Sequence, residues 1–120
     1  MSEDFSWRER ASRILDALDA AESVPKDEQR SAVKDALAAL AAKAPGRSVE
    51  VRVPPLAAVQ VLEGATHRRG TPPAVVEMDT ATWLALALGR LTWAEATRTG
   101  RVRASGARSD LSGLLPLSGV

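Results

Sequence analysis

The sequence of 120 residues contains no cysteine and no tyrosine, and its only histidine is His67. Without cysteine the chain forms no disulfide and offers no thiolate to a metal ion. A single histidine is too few for a typical zinc site or for a recognisable Ser-His-Asp arrangement. Aromatic residues make up only 3% of the chain. We therefore expect no metal, no cofactor and no catalytic activity.

Neither sign of charge dominates, because 16 Lys and Arg residues oppose 15 Asp and Glu residues. This balance argues against a dedicated nucleic-acid binder, which concentrates basic residues on one face. The charged N-terminus carries no apolar run near the ~20 residues that a membrane span needs. With 45% apolar and 26% charged residues, the chain is expected to form one compact unit, with a cytoplasmic location as the default.

Two N-terminal segments show the period of an amphipathic helix. The first places Ala11, Ile14, Leu15 and Leu18 on one apolar face. Pro25 suits the first turn of a second helix, which is predicted from about Lys26 to Lys43 and ends before the sequence "APGR". Its inward positions are predicted to be Val33, Ala36, Leu37 and Leu40.

The period then changes to the two-residue repeat of a strand. Val49, Val51 and Val53 alternate with polar residues. Further strands are predicted at Leu56–Glu63, at Ala74–Met78 and at Arg101–Ser105, where Val102 and Ala104 alternate with polar neighbours. This order indicates an α+β fold with helices against one antiparallel or mixed sheet.

The sequence "TWLALALG" predicts a helix that is apolar nearly all round. Asp79 or Thr80 is its expected N-cap and Gly89 its C-terminal glycine, and Thr82 is expected on a narrow polar strip. A single sheet covers only one side of such a helix. The other sides need a further apolar companion, either a ligand or the N-terminal helices.

Two shorter elements follow this helix. Thr92–Glu95 has the form of a capping box, so a short helix is predicted to begin there and to end at Gly100. Ser109–Leu117 is predicted to contain a capped helical turn that stops at Pro116.

Four short motifs follow one another along the C-terminal half of the chain: T-x-x-W-L, G-R-L-T, A-x-x-x-G-R-V-x-x-S-G and S-x-L-L-P-L. Together with "RGTPPAVVE", this order resembles sterol carrier protein type 2 domains, in particular the small bacterial proteins of that family. The resemblance covers Arg69 to Leu117, extends loosely over Val49 to Glu63, and leaves out the N-terminal helices. It implies an α+β domain, residues 46–120, with about five strands covered by helices around an apolar tunnel. Residues 1–45 would form a helical pair packed on that domain.

The resemblance places a ligand against the apolar helix, although each of these side chains also fits ordinary core packing. The expected lining is Trp83, Leu84, Ala87 and Leu88, with Trp93 at a mouth and a C-terminal flap of Leu111, Leu114 and Leu115. His67, Arg68 and Arg69 form a small cationic patch that suits an anionic head group or an acidic partner protein.

Three functions stay open at this point. The first is binding or carriage of an apolar ligand such as a lipid, a fatty acyl chain or a sterol. The second is a protein-interaction or dimerisation module that has lost the tunnel. The third, implied by the family, is an accessory subunit of a thiol-dependent isomerase. The sequence leaves monomer or homodimer, and transient membrane contact, undecided.

Overall fold

The structure is a computed structural model that describes residues 3–63, 74–106 and 109–117. Its fold is α+β, as predicted. The elements in chain order are α1 (Glu3–Asp19), α2 (Lys26–Lys43), β1 (Val49–Val53), β2 (Ala57–Val61), β3 (Ala74–Met78), α3 (Thr80–Leu88), α4 (Trp93–Arg98) and β4 (Val102–Ser105). No helix in these residues is both long and apolar enough to cross a membrane.

The sheet is open and mixed, with strand order β2-β1-β3-β4. β1 runs antiparallel to β2 and parallel to β3, and β3 runs antiparallel to β4. The described residues form four strands, where about five were expected.

One face of the sheet is apolar and buried. Val49, Val51 and Val53 are fully buried, and Val76 and Val102 point into the same core. The opposite face carries Arg52, Glu77 and Arg103 side by side in the register, so it is a solvated face of alternating charge. In β4, Val102 is buried and Ala104, which alternates with polar residues in the predicted strand, is exposed.

The helices cover the apolar face. α2 packs against β2, α1 packs against both α2 and α3, and α4 packs against β4. The predicted inward positions of α2 are all buried, and those of α1 are buried except for the half-buried Leu18. The division of the chain at residues 45 and 46 stays a prediction.

A close backbone junction joins the end of α2 to the hairpin of β1 and β2. The backbone N–H of Leu62 donates to the Ala44 carbonyl at 2.8 Å, and the Ser48 N–H donates to the Leu62 carbonyl at 2.9 Å. Gly46 has φ +149°, and a Cβ at this position would overlap the backbone of Leu62. Only glycine fits at this position, so α2 is fastened closely to the sheet.

The C-terminal segment, residues 109–117, contains a single turn at residues 112–114, in which the Leu114 N–H donates to the Leu111 carbonyl at 2.9 Å. The carboxylate of Asp110 accepts a hydrogen bond from the Ser112 N–H at 2.9 Å. This side-chain bond satisfies a backbone donor at the start of the turn, as an N-cap does.

Candidate functional site

The apolar helix α3 begins and ends with strong local signals. Asp79 is the N-cap, and its carboxylate accepts a hydrogen bond from the Thr82 N–H at 2.8 Å. Gly89 ends the helix in the left-handed conformation, with φ +83°. Between them, Thr82 to Ala87 are all buried, so this helix lies in the middle of the fold.

The cover that α3 requires is supplied by α1 and α2. Both helices pack against α3, and Trp83 is 0% exposed. The indole N–H of Trp83 donates to the Val33 carbonyl of α2 at 3.4 Å, a weak hydrogen bond. The companion of the apolar helix in this structure is therefore the N-terminal helical pair.

Thr82 does not lie on a polar strip, contrary to the sequence-based expectation. Its side chain is 0% exposed, and its hydroxyl accepts a hydrogen bond from Arg101 Nε at 3.2 Å. The hydroxyl is therefore satisfied inside the fold by a residue at the start of β4, which helical periodicity alone does not reveal.

Polar contacts tie α1 to the rest of the site. Arg90, after α3, donates to the Asp16 carboxylate at 2.7 Å and to the Ser12 hydroxyl at 2.5 Å. Arg8 donates to the Leu117 carbonyl at 2.8 Å. A further ion pair joins α1 to α2 through Arg10 and Asp35.

The C-terminal segment closes the end of α3. The Leu117 N–H donates to the Ala87 carbonyl at 3.0 Å, and Lys43 Nζ donates to the Leu114 carbonyl at 2.9 Å. Leu111 is fully buried, whereas Leu114 and Leu115 are half-buried. The segment expected to act as a flap thus accepts hydrogen bonds from α1 and α2 and donates one to α3.

The predicted ligand-binding residues occupy different environments. Trp83, Leu84 and Ala87 are fully buried in the core, and Leu88 and Trp93 are half-buried against it. His67, Arg68 and Arg69 lie outside the described residues. Whether any of these side chains contacts a ligand stays a prediction.

Two clefts lie elsewhere. One, of about 490 Å3, lies between α1 and the start of α2, where Ile14, Ala17, Val24 and Pro25 form its apolar part and Arg13 is among its polar residues. Another, of about 360 Å3, lies at the ends of β3 and β4 beside Glu77, Arg101 and Arg103. Neither is lined by a predicted ligand-binding residue.

The sequence analysis assigned no role to Trp7, which extends the apolar face of α1 by one turn and is 2% exposed. The spacing of Trp7, Ala11 and Ile14 is the signal that identifies it. Its indole N–H is buried and has no hydrogen-bond partner among the described residues, and the Arg8 guanidinium lies 5.0 Å from the ring centroid. Trp7 therefore packs well but leaves one donor unsatisfied.

The comparison with known proteins identifies a family for most of the chain. The family model described as bacterial SCP ortholog matches residues 25–117. The match begins after α1 and includes α2, which the resemblance seen in the sequence left out. No curated protein matches the chain.

Proposed function

The chain belongs to the family of bacterial SCP orthologs, and from this premise we propose that it binds and carries an apolar ligand without catalysing a reaction. The ligand would be a lipid, a fatty acyl chain or a sterol-like molecule. It would lie between the sheet and the helices, against α3.

The observation that carries this proposal is the apolar character of α3 on every side. Its six residues from Thr82 to Ala87 are buried, and five of the six are apolar. A ligand in place of part of the helical cover would meet Trp83, Leu84 and Ala87. Surfaces lined mainly by apolar and aromatic side chains are typical of small-molecule sites.

A free-energy estimate supports a site that is closed when empty. A dry cavity costs about 24 cal/mol per Å3, so a void of roughly 300 Å3, at the small end of ligand sites, would cost about 7 kcal/mol. The total stability of a domain is only about 5–15 kcal/mol. Packing of side chains against α3 in the free protein is therefore compatible with a site that opens as the ligand enters.

The ends of the ligand would meet the remaining predicted residues. Trp93, half-buried after α3, suits the mouth of the site because an indole tolerates one hydrated edge. Leu111, Leu114 and Leu115 would close over the apolar chain. The cationic residues His67, Arg68 and Arg69 would receive a carboxylate or phosphate head group.

Native mass spectrometry of freshly purified protein, followed by solvent extraction, tests the proposal. We expect a bound mass that extraction assigns to a lipid. The lipid-free protein should also bind cis-parinaric acid, a fluorescent fatty acid, in a saturable way that unlabelled palmitate reverses. A chain that carries no lipid and binds neither probe would contradict the proposal.

A second candidate, a protein-interaction or dimerisation module without a tunnel, is favoured by one specific observation. The face of α3 that a ligand would occupy is filled by side chains of α1 and α2. Such a module would elute at twice the monomer mass and would show no response to fatty acids. A monomer that binds palmitate would exclude it.

A further inference from the structure

We infer that α1 is a displaceable cover that competes with the apolar ligand for α3. This inference rests on the proposed function, because it describes how that ligand site opens and closes. The part of the site that matches the family model would lie in α2, the sheet and α3, while α1 would set how readily the ligand enters.

The first argument is the position of α1 relative to the family match. The match begins at residue 25, whereas α1 ends at Asp19 and nevertheless packs against α3. The residues that match the family therefore leave part of the apolar helix to be covered by something beyond them. In this chain α1 supplies that cover with Trp7, Ala11, Ile14 and Leu15, all of them buried.

The second argument concerns two features of α1, its ion pair with Arg90 and the buried indole of Trp7. The Arg90–Asp16 ion pair is solvent-exposed, with 38% and 67% of the two side chains accessible. Exposed ion pairs contribute little to stability. Docking of α1 also buries the Trp7 N–H, which finds no acceptor in the part of the chain that the structure describes and would regain a water molecule when α1 moves away.

The third argument is that α2 is held differently. Its C-terminal end is fastened to the sheet through Ala44, Gly46 and Leu62. α1 is connected to it by the short segment of residues 20–25, in which Ala21 has φ +59°. Movement of α1 therefore leaves this junction intact, whereas movement of α2 breaks its hydrogen bond between Ala44 and Leu62.

The cleft between α1 and α2 offers the place where a ligand would begin to separate them. Ile14 belongs both to the apolar lining of this cleft and to the buried core. An acyl chain that enters beside Ile14 and Val24 would extend into the interface under α1. Opening would then begin at the end of α1 that is connected to α2 and would uncover α3 progressively from there.

Competition has a thermodynamic consequence that is measurable. If the ligand binds only when α1 is displaced, the apparent dissociation constant equals the intrinsic one divided by the open fraction. Because binding and opening are linked, a ligand that binds the open state more tightly must also increase the population of the open state. Ligand binding and exposure of the inner face of α1 should therefore rise together.

A single introduced thiol reports this exposure, since the natural chain has no cysteine. The variant Ala11→Cys places the thiol on the buried face of α1, and the matched variant Ala96→Cys places one on α4, which packs against β4; both positions are 0% exposed. Reaction with a water-soluble disulfide reagent is followed in the full chain with and without saturating palmitate. We expect palmitate to speed the reaction of Ala11→Cys several-fold and to leave that of Ala96→Cys unchanged.

Arg90→Ala, combined with each thiol variant, tests how strongly α1 is bound to the rest of the protein. The substitution changes none of the predicted ligand-binding residues. Loss of the contacts with Asp16 and Ser12 should raise both the Ala11→Cys rate and the palmitate affinity by about 1.5- to 5-fold, the range expected for an exposed ion pair. Arg98→Ala on α4 is the control, because Arg98 is exposed and is not one of the residues in these contacts. It should change neither quantity.

The outcomes separate the two proposals. Palmitate that binds but protects the Ala11→Cys thiol, or leaves its rate unchanged, would overturn the role of α1 and leave the proposed function intact. An Arg90→Ala variant that matches the parent chain in both quantities would do the same. A chain that binds no palmitate, in the parent or in any variant, would overturn both.

Discussion

Trp83 contributes both apolar surface and a hydrogen bond to the interface between α3 and α2. Its ring is fully buried and its N–H reaches the Val33 carbonyl at 3.4 Å. Trp93, ten residues further along, is only half-buried. The two tryptophans therefore provide a matched pair for separating core packing from ligand contact.

We predict that Trp83→Ala lowers the free energy of unfolding by about 3–5 kcal/mol, the cost of truncating a large buried ring. Trp93→Ala should cost about 1 kcal/mol, typical of an average substitution. Urea denaturation followed by circular dichroism measures both. A Trp83→Ala chain that keeps the parent stability but loses fatty-acid affinity would mean that this ring lines an open site in the free protein.

Among the titratable side chains that the structure describes, Asp110 has a clearly shifted pKa. Hydrogen bonds from the backbone N–H of Ser112, and secondarily from its hydroxyl, lower the pKa of Asp110 below its ordinary value of 3.8. A lowered folded-state pKa stabilises the turn above the ordinary pKa. That support is lost as the pH falls through the lowered value.

We predict that Ser112→Ala raises the pKa of Asp110 partway towards 3.8, because the hydroxyl is lost and the backbone donor remains. Carbon-13 NMR titration of the Asp110 carboxyl group measures the change. Asp110→Asn, which keeps the acceptor and removes the charge, should abolish the acid dependence of the turn. An unchanged pKa in Ser112→Ala would show that the hydroxyl does not donate to the carboxylate.

At the level of the elements, α3 depends on its caps as well as on its burial. The Asp79 carboxylate satisfies the Thr82 N–H, one of the donors that the first turn leaves open. The helix has only nine residues, too few to be stable alone. Its cap and its tertiary cover must therefore act together.

We predict that Asp79→Ala destabilises the fold by about 1 kcal/mol, as the loss of an N-cap typically does. Asp79→Asn should retain most of the stability, because its side-chain oxygen still accepts from the Thr82 N–H. Thermal denaturation of the three proteins under identical conditions provides the comparison. Equal losses in the two variants would indicate that the charge of Asp79, and not the hydrogen bond, is what matters.

The elements that local signals define were predictable. α2 and β3 have the predicted bounds, Lys26–Lys43 and Ala74–Met78, because a proline, a glycine or a polar loop bounds each apolar pattern. The caps Asp79 and Thr92 were readable for the same reason, and Thr92 does accept from the Glu95 N–H. The family resemblance, too, rested on such local motifs.

The contacts between elements were not predictable in the same way. Thr82 is buried, and Arg101, nineteen positions along the chain, donates to its hydroxyl. No period within α3 contains that information. The pattern of α3 showed that a cover was needed but left a ligand and the N-terminal helices as alternatives. The choice depends on long-range packing of α1, which only the structure displays.

For the molecule as a whole, the near balance of charge limits the role of long-range electrostatics. The formal net charge is +1, too small to steer an anionic ligand from a distance. Any effect of salt on binding must then arise locally, at a head group. The proposed contact with His67, Arg68 and Arg69 would be the source of such an effect.

We predict that affinity for a long-chain fatty acid falls by about 2- to 5-fold when ionic strength is raised from low to high, the range for one exposed ion pair. Affinity for the uncharged alcohol of the same chain length should stay constant, because only apolar burial drives it. Fluorescence displacement at several salt concentrations measures both. Equal salt responses of the acid and the alcohol would contradict a role for the cationic residues in binding the head group.

The junction at Gly46 also affects the order in which parts of the molecule open. Because the Leu62 amide is locked between the end of α2 and the start of β1, its hydrogen should exchange with solvent only when the whole molecule unfolds. Amides of α1 should exchange through a smaller, local opening. The protein would then consist of a slow-exchanging unit, α2 with the sheet, to which a faster-exchanging N-terminal helix is attached.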